Sequence, residues 1–545
     1  MGPPEEERFE DAGGLGWTAR AAGPGAVYLE AEAEPSAEHA LRLAERRAEL
    51  LTDRPRSVHD LIPGFTGLLA EHRAGADQQE VLHWLHATRS SPDARPGTVT
   101  TSAPRLAPRH HVIAVSYGVQ AERGELERAT GMPWEELIAR HAEPLYTVAF
   151  IGFTPGFPYL LGLPPELSLP RRDKPSAHIP AGAVAIAGGQ AGIYPSSSPG
   201  GWWVIGTTDA KLFDVSRSPP ALLGGGDTVR FEPTHARTPG EPAIASGEAE
   251  PLSAEDPALR VVEVWPGAAT LQALPRRAVG HLGMAQAGAL DPAARDAAQE
   301  IVGAPRRSAA VELIVPHLTL EALRPVEVVV TGGGARLSVS GVPADTWRVL
   351  HLTSGASLRV RPASGSAGGT SYLAVAGGVA WPWREAVHPD LQTVPSSDVR
   401  AGLGRALIPG DELGAAGPVA AQVPWKGLPR YGDRAYLRVH PGPQGGAREL
   451  EALMARSWHL DTRDRTGARL DGPALALDRH EVRSQGVPWG AVQVPTDGKP
   501  VVLLSDRGRT GGYAVPGVVD PRDLWQLAQA GPGTEVWFLP PGWRR

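Results

Sequence analysis

Glycine and proline interrupt almost every apolar segment of this chain, which limits the length of the elements that it can form. The 545 residues include 65 Gly and 54 Pro, together roughly 22% against about 12% in average usage. Because 42% of the residues are hydrophobic, this excess does not indicate disorder. It predicts a mainly β protein whose short strands are joined by tight turns.

Composition also excludes several classes of protein. Acidic residues outnumber basic ones by 60 to 53, a formal charge of −7, whereas a nucleic-acid binder neutralises phosphates with excess positive charge. The chain has no Cys, so a disulfide scaffold, a thiolate metal site and a Cys nucleophile are excluded. No apolar stretch approaches the ~18 residues of a membrane span, and the acidic, Pro-rich start does not resemble a secretory signal. We therefore expect a cytoplasmic protein without nucleic-acid or membrane partners.

Changes of composition along the sequence predict four folded units, in line with ~150 residues per domain. Amphipathic spacing predicts helices over 37–52 and 77–88 in the first unit, and Pro133 begins a predicted helix over 133–141. Beyond that helix, short apolar runs broken by Gly and Pro are typical of strands. The predicted units are a small α+β domain at 1–95, a β-barrel at 106–232, a linker at 233–258, a β-rich first lobe at 259–420 and a second lobe at 430–540.

An internal repeat connects the second and fourth units. Pro180-Ala-Gly-Ala-Val-Ala-Ile186 matches Pro488-Trp-Gly-Ala-Val-Gln-Val494, and Pro199-Gly-Gly-Trp202 matches Thr510-Gly-Gly-Tyr513. Each unit then ends in a similar segment, 226–231 in one and 533–538 in the other. Three matches in one order favour a duplication. The sequence therefore predicts a pair of related β-barrels.

Signatures of common catalytic sites are absent from this sequence. It contains no P-loop, no dinucleotide-binding glycine motif after a strand, no H-E-x-x-H metal helix and no G-x-S-x-G nucleophile elbow. What remains is a concentration of Gly, Pro, Arg and aromatic residues at the repeat positions. Candidate functional residues are therefore expected in those segments.

Two segments of the first barrel have alternative interpretations. Residues 153–160 place three aromatic side chains around a turn, as either a packed β-corner or the apolar wall of a small-molecule pocket. Pro170-Arg171-Arg172 is either an exposed basic turn or a clamp for a carboxylate or phosphate, because guanidinium groups donate in a planar fork.

The two Gly-Gly turns also carry two interpretations. Consecutive glycines satisfy turns with positive φ, and their bare backbone lets an anion approach main-chain N–H groups. Arg465 and Arg469 lie four residues apart in a Gly-broken segment that is either a solvated turn or an anion contact. His141 ends its helix, where a cation favours the dipole. The residues alone thus predict a multi-barrel protein with an anion-binding cleft.

At these residues the chain resembles a known pair of proteins. Residues 141–231, with F-x-P-G-F-P-Y-L, P-A-G-x-V-x-I-A and S-P-G-G-W, resemble the B subunit of 5-oxoprolinase, the Kip-type sporulation kinase inhibitor. Residues 261–538 resemble the C subunit, its antagonist partner. The motifs shared with the C subunit are G-M-A-Q-A-G-A-L-D at 283–291, Glu312, Y-L-A-V-A-G-G at 372–378, G-A-V-Q-V-P at 490–495 and T-G-G-Y at 510–513. The chain is thus similar to a fusion of the two proteins, and also to the carboxyltransferase region of urea amidolyase.

The resemblance implies cyclophilin-like β-barrels and ATP-dependent opening of 5-oxo-L-proline to L-glutamate with a separate A-type subunit. ATP with Mg²⁺ would be a substrate, and no covalent cofactor is implied. The implied catalytic residues are Arg171, Asp291, Glu312, Arg465, Arg469 and Asp506, the arginines for anionic oxygens and the acids for Mg²⁺ or as base. The implied binding residues are His141, Phe153, Pro155, Gly156, Phe157, Tyr159, Gly182, Gln190, Pro199, Gly200, Gly201, Trp202, Gln272, Gln493, Thr510, Gly511, Gly512 and Tyr513.

The sequence departs from the family pattern at several loops. Gln272-Ala-Leu-Pro-Arg-Arg277 replaces the usual Q-D-x-G-R-P-G, and 298–304 lacks both Asn of A-N-x-x-x-G-N. Pro395-Ser-Ser-Asp398 stands where G-S-x-S-T is usual. The second P-R of the B-type pattern is Pro175-Ser176 here, and its G-R-T is Gly206-Thr-Thr208. Polar groups are thus lost from loops that the family uses, which points either to a different substrate or to one cleft without catalysis.

The leading hypothesis is the fused B–C component of a 5-oxoprolinase. One alternative is carboxyltransferase or amidolyase chemistry on urea-like amides with partner chains, because the sequence has no biotinyl, biotin carboxylase or amidase signature. Another is a non-catalytic regulator that binds a histidine kinase. A homo-oligomer is a possible assembly in each case.

Overall fold

The computed structural model describes most of the chain. The described residues are 6–10, 14–73, 75–86, 108–118, 122–172, 174, 176–234, 250–363, 368–381, 404–415, 431–478 and 480–544. Residues 87–107, most of the predicted linker 233–258 and the Pro395–Asp398 loop lie outside them. No helix among these residues is both long enough and apolar enough to cross a membrane.

The N-terminal domain is an antiparallel sheet covered by two helices. Its strand order is β1-β2-β3-β5-β4, and its core contains Trp17, Leu29 and Leu43. Ser36 caps the first helix by accepting a hydrogen bond from the His39 N–H (3.1 Å). The two helices predicted at 37–52 and 77–88 are confirmed. The elements are β1 Glu6–Glu10, β2 Gly16–Ala21, β3 Ala26–Ala31, α1 Ala37–Thr52, β4 Val58–Pro63, β5 Gly67–His72 and α2 Gln78–His86.

The second domain is a β-barrel, called here the first barrel. Its strand order is β13-β10-β11-β8-β7-β14-β6, and a bridge between Ser116 and Thr207 closes the ring. The predicted helix at 133–141 is confirmed as α4. The elements are β6 His110–Val115, α3 Arg123–Thr130, α4 Trp134–Ala142, β7 Leu145–Ile151, β8 Pro158–Leu161, a 3₁₀ turn Pro165–Leu167, β9 Ser176–Ile179, β10 Ala183–Ala187, β11 Gln190–Ile193, β12 Ser198–Gly200, β13 Trp203–Thr207 and β14 Thr228–Pro233.

The third unit, called here the intermediate lobe, consists of two antiparallel sheets that share one apolar core. One sheet has the order β21-β20-β23-β18-β15-β26-β25 and the other β16-β17-β24-β19-β22; Leu320 of the first and Val328 of the second belong to the same cluster. The elements are β15 Pro257–Val264, β16 Ala269–Gln272, a 3₁₀ turn Gly280–Leu282, α5 Pro292–Val302, β17 Ala310–Leu313, β18 Leu318–Ala322, β19 Val326–Gly332, β20 Ala335–Val339, β21 Val342–Ala344, β22 Leu350–Leu352, β23 Ser357–Pro362, β24 Ser371–Val375, β25 Val379–Ala380 and β26 Glu412–Ala415.

The last unit, called here the second barrel, has one long strand that closes the ring. The order is β27-β34-β28-β29-β32-β31-β33-β30, and β33 also pairs with β27. The elements are β27 Arg434–Pro441, α6 Ala447–Met454, β28 Ser457–Arg463, β29 Gly467–Asp471, β30 Glu481–Gly486, β31 Ala491–Val494, β32 Val501–Leu503, β33 Thr510–Val519, α7 Trp525–Gln529 and β34 Glu535–Leu539.

The two barrels share one topology, strand for strand. In each, the first and last strands are parallel neighbours, β6 with β14 and β27 with β34. The other neighbours in each ring are antiparallel. At least one helix lies between the first and second barrel strands in both, α3 and α4 in one and α6 in the other. The predicted fold class, duplicated cyclophilin-like barrels in a mainly β chain with a small α+β N-terminal domain, is confirmed.

The repeated glycine before the matched strands shows why the sequence repeats there. Gly182 and Gly490 have φ of 79° and 81°. A Cβ would lie 2.3 Å from the Thr208 carbonyl oxygen at Gly182 and 2.6 Å from the Val519 carbonyl oxygen at Gly490. A side chain is excluded at both positions because it would strain the backbone and collide with the closing strand. The glycine is therefore part of barrel closure.

Candidate functional site

A cleft of about 700 Å³ lies between the first barrel and the second barrel, with the N-terminal domain at one side. We call it the inter-barrel cleft. Four predicted site residues line it: Arg171, Gln190, Trp202 and Gly512. Its other lining residues are Glu30, Glu34, Thr66, Pro170, Ala187, Gly188, Gln444, Glu481, Val482, Arg483, Ser484 and Gln485.

Next to this cleft, the Gly-Gly turn of the second barrel is hydrogen-bonded to the 153–160 segment of the first barrel. Phe153 has a φ of 61°, and its N–H donates to the Thr510 hydroxyl at 2.8 Å. Thr510 is buried, and its side chain and that of Ser484 are hydrogen-bonded to the Tyr159 hydroxyl. These hydrogen bonds lower the pKa of Tyr159, but burial has the larger effect and raises it. The predicted binding residues Phe153, Tyr159 and Thr510 thus fix one wall of the cleft against the other.

Arg171 is the cationic group that the first barrel presents to the cleft. Its side chain is exposed, and a Cβ at Gly512 would lie 3.4 Å from its Nη2 atom. The adjacent Arg172 is engaged instead, because it pairs with Glu122 and lies 5.2 Å from the Trp203 ring centroid. Among the described residues, Arg171 has no carboxylate in ion-pair distance, so it is available to an anionic ligand.

The aromatic residues of the 153–160 segment form a packed layer behind the cleft. The Phe157 ring contacts those of Tyr194 and Trp202 edge-on, with centroids 5.1 and 5.5 Å apart. Phe157 and Tyr159 are buried. Of the two interpretations of this segment, the packed β-corner fits Phe157 and Tyr159. Trp202 packs in the same layer and also lines the cleft.

Four of the five predicted acidic and basic residues of the C-terminal half, all except Arg469, form a second group between the intermediate lobe and the second barrel. The Arg465 guanidinium holds Asp506 with Nε and Nη2 (2.7 and 2.8 Å) and donates to the Gly288 carbonyl (2.8 Å). Its Nη1 pairs with Glu312. We call this group the buried arginine network.

Glu312 connects that network to Asp291 through a tyrosine. Glu312 has no exposed surface and accepts from the Leu290 N–H (2.9 Å) and the Tyr372 hydroxyl (2.8 Å). The Asp291 N–H donates to the same hydroxyl (2.7 Å), and its carboxylate caps α5 through Ala294 N–H (3.0 Å).

Burial sets the protonation behaviour of this network. Burial raises the pKa of Asp291, although its hydrogen bonds oppose the shift, and burial together with the Glu312 carboxylate raises the pKa of Tyr372. Burial would lower the pKa of Arg465, but Asp506 and Glu312 outweigh it and hold the pKa above its ordinary value. In the described part of the chain, no group of three or more His, Asp or Glu side chains could hold a metal ion; the predicted acids are committed to Arg465 and to a helix cap.

Several predicted residues lie away from both groups. Arg469 is exposed on β29 between buried Ala468 and Leu470, so it points away from the barrel core. His141 is fully buried, bonds the Tyr117 hydroxyl at 2.8 Å and stacks on Phe231. Burial lowers its pKa to about 3. The structure thus places His141 in the core of the first barrel and does not bring it to the cleft.

The remaining predicted residues support the loops around these groups. Gly156 donates from its N–H to the Leu282 carbonyl (3.0 Å), and the Gly201 carbonyl accepts from the Arg172 N–H (2.9 Å). A Cβ at Gly511 would lie 2.6 Å from the Gln493 amide nitrogen. The others stand as follows: Pro155 buried, Pro199 exposed, Gly200 half-buried in β12, Tyr513 half-buried in β33 and Gln272 fully buried, donating to the Thr270 hydroxyl at 3.0 Å.

Sequence reasoning missed a buried ionic contact that joins the N-terminal domain to the second barrel. Arg509 Nη2 lies 2.7 Å from Asp60 and 2.6 Å from Glu71, and Arg507 pairs with Glu71. All four side chains are at most 5% exposed. Burial would raise the pKa of Glu71, but Arg509 and Arg507 lower it to about 2. The paired Arg at 507 and 509 beside the Gly-Gly turn was a visible signal, but their partners lie more than 430 residues away.

Comparison with known proteins covers both halves of the chain. The family model for carboxyltransferase domain, subdomain C and D, matches residues 17–223, and the model for subdomain A and B matches 282–540. The 5-oxoprolinase B subunit of Haemophilus influenzae is 50% identical over 127 residues, 23% of this chain and 59% of that protein. The 5-oxoprolinase C subunit of Escherichia coli (strain K12) is 32% identical over 285 residues, 50% of this chain and 87% of that protein.

One solved structure has the same arrangement over nearly its whole length. The crystal structure of TTHA0988 is 34% identical with a TM-score of 0.80, covering 94% of this chain and 99% of that one. The order of the two family matches is the order of the two barrels. The chain therefore belongs to the carboxyltransferase-domain family of the 5-oxoprolinase B and C subunits, with a B-like half and a C-like half in one polypeptide.

Proposed function

We propose that the chain is the fused B–C component of an ATP-dependent amide hydrolase that opens 5-oxo-L-proline to L-glutamate with a separate A-type subunit. The observation that carries the proposal is Arg171 of the B-like half facing Gly512 of the C-like half across the inter-barrel cleft. The relatives named as 5-oxoprolinase subunits supply the substrate class.

The cleft offers groups suited to a small lactam with a carboxylate. Arg171 would bind the carboxylate through its forked donors. The amides of Gln190 and Gln485 and the hydroxyl of Ser484, all lining the cleft, can donate to a lactam oxygen and accept from its N–H. Trp202 supplies an apolar surface for the ring carbons.

The reaction needs the lactam to be activated because its carbonyl is a poor electrophile. Transfer of the γ-phosphoryl group from ATP to the lactam oxygen releases ADP and creates an activated carbon. Water then adds to this carbon, the C–N bond breaks, and the nitrogen takes a proton. A second water hydrolyses the resulting acyl phosphate to give glutamate and phosphate. Cationic donors stabilise the charge that develops on the phosphoryl oxygens, and Mg²⁺ enters bound to ATP as part of that substrate.

The test is 5-oxoproline-dependent ADP release by the purified chain, alone and mixed with an A-type subunit. We expect turnover in the mixture, with Arg171→Gln lowering kcat/KM at least tenfold because the carboxylate clamp is lost. Arg359→Gln is the matched control, since Arg359 is exposed on the intermediate-lobe strand β23. A folded, assembled mixture that does not release ADP in response to 5-oxoproline contradicts the proposal and turns attention to urea-like amides or to binding of a kinase.

A further inference from the structure

A second cavity, of about 650 Å³, lies between the intermediate lobe and the second barrel. We call it the arginine-lined cavity. Five of its lining residues are arginines, at 276, 277, 295, 306 and 307, and one, Asp296, is an acid. Their formal charges leave an excess of four positive charges. The lining residues are Ala273, Leu274, Pro275, Arg276, Arg277, Gln286, Ala287, Gly288, Ala289, Pro292, Arg295, Asp296, Arg306, Arg307, Trp489 and Ser505.

The single acid is already shared between two of these arginines. Asp296 pairs with Arg295 through one carboxylate oxygen and with Arg306 through the other (2.7 Å). Arg277 and Arg307 are exposed, and among the described residues neither has an ion-pair partner. Two guanidinium groups therefore remain for a bound anion.

Arg295 adds a fixed, buried cation. Its side chain is 2% exposed, and its Nη2 atom donates to the carbonyls of Arg306 (2.5 Å) and Ser308 (3.0 Å). Its Nε atom has no hydrogen-bond partner among the described residues. Asp296 balances the charge of Arg295, and the buried Nε–H is left as an unsatisfied donor, which is costly.

The charges beyond the wall do not cancel this excess. The buried arginine network touches the cavity at Gly288 and Ser505, and there Asp506 and Glu312 are neutralised in part by Arg465. Asp291 precedes the lining Pro292, and burial raises its pKa. The cavity itself remains cationic.

Apart from the charged residues, Gln286 and Ser505, the lining is apolar and includes one large aromatic ring. Trp489 is half-buried beside the arginines. Apolar walls lower the local dielectric and so strengthen an ion pair within the cavity. A ligand that combines phosphate oxygens with a flat ring would use both parts of the lining. The apolar residues around the arginines are Ala273, Leu274, Pro275, Ala287 and Ala289.

We infer that the arginine-lined cavity is a binding site for a phosphate-bearing ligand, with the phosphate on Arg277 and Arg307, beside the buried Arg295, and any attached ring on Trp489. The site is separate from the inter-barrel cleft, and it does not depend on a lactam being the substrate. Free polyphosphates and nucleotides share this chemistry.

Titration calorimetry on the full-length chain, without lactam, tests the inference. The probes are inorganic phosphate, pyrophosphate, ADP and ATP, each at low and at physiological salt. We expect binding that weakens with salt, and at least tenfold weaker binding in Arg277→Gln and Arg307→Gln. Arg359→Gln, the same change at an exposed position of the same lobe, is expected to bind as the unchanged chain does.

Trp489→Leu separates the two sources of phosphate. Weaker binding of ADP and ATP with unchanged pyrophosphate binding identifies a nucleotide, while unchanged binding of pyrophosphate, ADP and ATP identifies a free polyphosphate. No binding of any probe, or equal binding by the Arg277, Arg307 and Arg359 variants, overturns the inference. The two proposals fail separately, because probe binding is measured without lactam and 5-oxoproline turnover is tested by Arg171→Gln at the inter-barrel cleft.

Discussion

The first barrel and the second barrel hold the same N-terminal domain by different contacts. The first barrel uses rings: Phe65 of the domain lies edge-on to Phe150 and Tyr159, with centroids 4.9 and 5.6 Å apart. The second barrel uses charges, Arg507 and Arg509 on Asp60 and Glu71. One topology therefore carries two kinds of junction, because barrel closure constrains the strands but leaves the outward residues free to change.

The difference has an energetic consequence. Truncating a packed ring lowers the free energy of unfolding by an amount that grows with the number of atoms removed. Removing one partner of a buried ion pair instead leaves a buried charge without compensation. The second barrel has two such groups, the contact with the N-terminal domain and the buried arginine network. Its junctions should therefore respond more strongly to single substitutions, and to acid, than those of the first barrel.

The largest effect is expected at Arg465. Arg465→Met leaves Glu312, which has no exposed surface, without its cation, and the free energy of unfolding should fall by about 3–5 kcal/mol. Denaturant unfolding measures this change. Arg469→Met is the matched control on the same barrel, because Arg469 is exposed and the change should stay within about 0.5 kcal/mol. Similar losses in the two variants would mean that burial of the pair does not decide its contribution.

A smaller effect is expected from acid at Glu71. Its pKa in the folded protein, about 2, lies below the ordinary 4.5, so its contribution is complete above pH 4.5 and is lost as the pH falls toward 2. The slope is about 1.4 kcal/mol per pH unit over that window. Unfolding measured from pH 6 to 2 should show a shallower decline in Glu71→Gln, which also starts less stable. Glu34→Gln, at an exposed pair with Arg483, should keep the slope; an unchanged slope in Glu71→Gln would remove the charge-based distinction between the barrels.

The smallest effect is expected at the aromatic junction. Phe65→Leu removes two edge-on ring contacts, worth about 0.5–1.5 kcal/mol each, and should lower the free energy of unfolding by about 1–2 kcal/mol. Because no charge is involved, the loss should be equal at pH 7 and pH 3. A loss that grows at pH 3 would show that the first barrel's junction also depends on titrating groups.

The sequence predicted the framework better than the site. The repeat of Pro-x-Gly and Gly-Gly segments located equivalent strands because glycine is required where the barrel closes, as at Gly182 and Gly490. The helices α3, α5 and α6 were not predicted. They are 8 to 11 residues long, so each offers only two or three turns over which an apolar periodicity can be read.

Site prediction depended on contacts that are distant in sequence. Arg171 approaches Gly512 only because the B-like half packs against the C-like half. No local spacing of residues in the sequence predicts this contact. Arg465 and Arg469 look alike in sequence, yet the alternation of β29 leaves Arg469 on its exposed face while Arg465, two residues before the strand, turns into the buried arginine network. His141 was predicted to bind a ligand from the resemblance, and the sequence shows that it ends a helix. The sequence does not show that Tyr117 and Phe231 enclose its ring in the barrel core.

The parallel pairing of each barrel's first and last strands fixes where the chain enters and leaves. Since β6 and β14 run in the same direction, the chain enters at one rim and exits at the opposite rim, roughly 20 Å away at about 3.3 Å per residue. A hairpin cannot connect such ends, so a circular permutation within one barrel would need a long crossover. The same geometry lets one barrel be followed by further domains without the chain returning to its start, and in this chain the intermediate lobe and the second barrel follow the first barrel in that way.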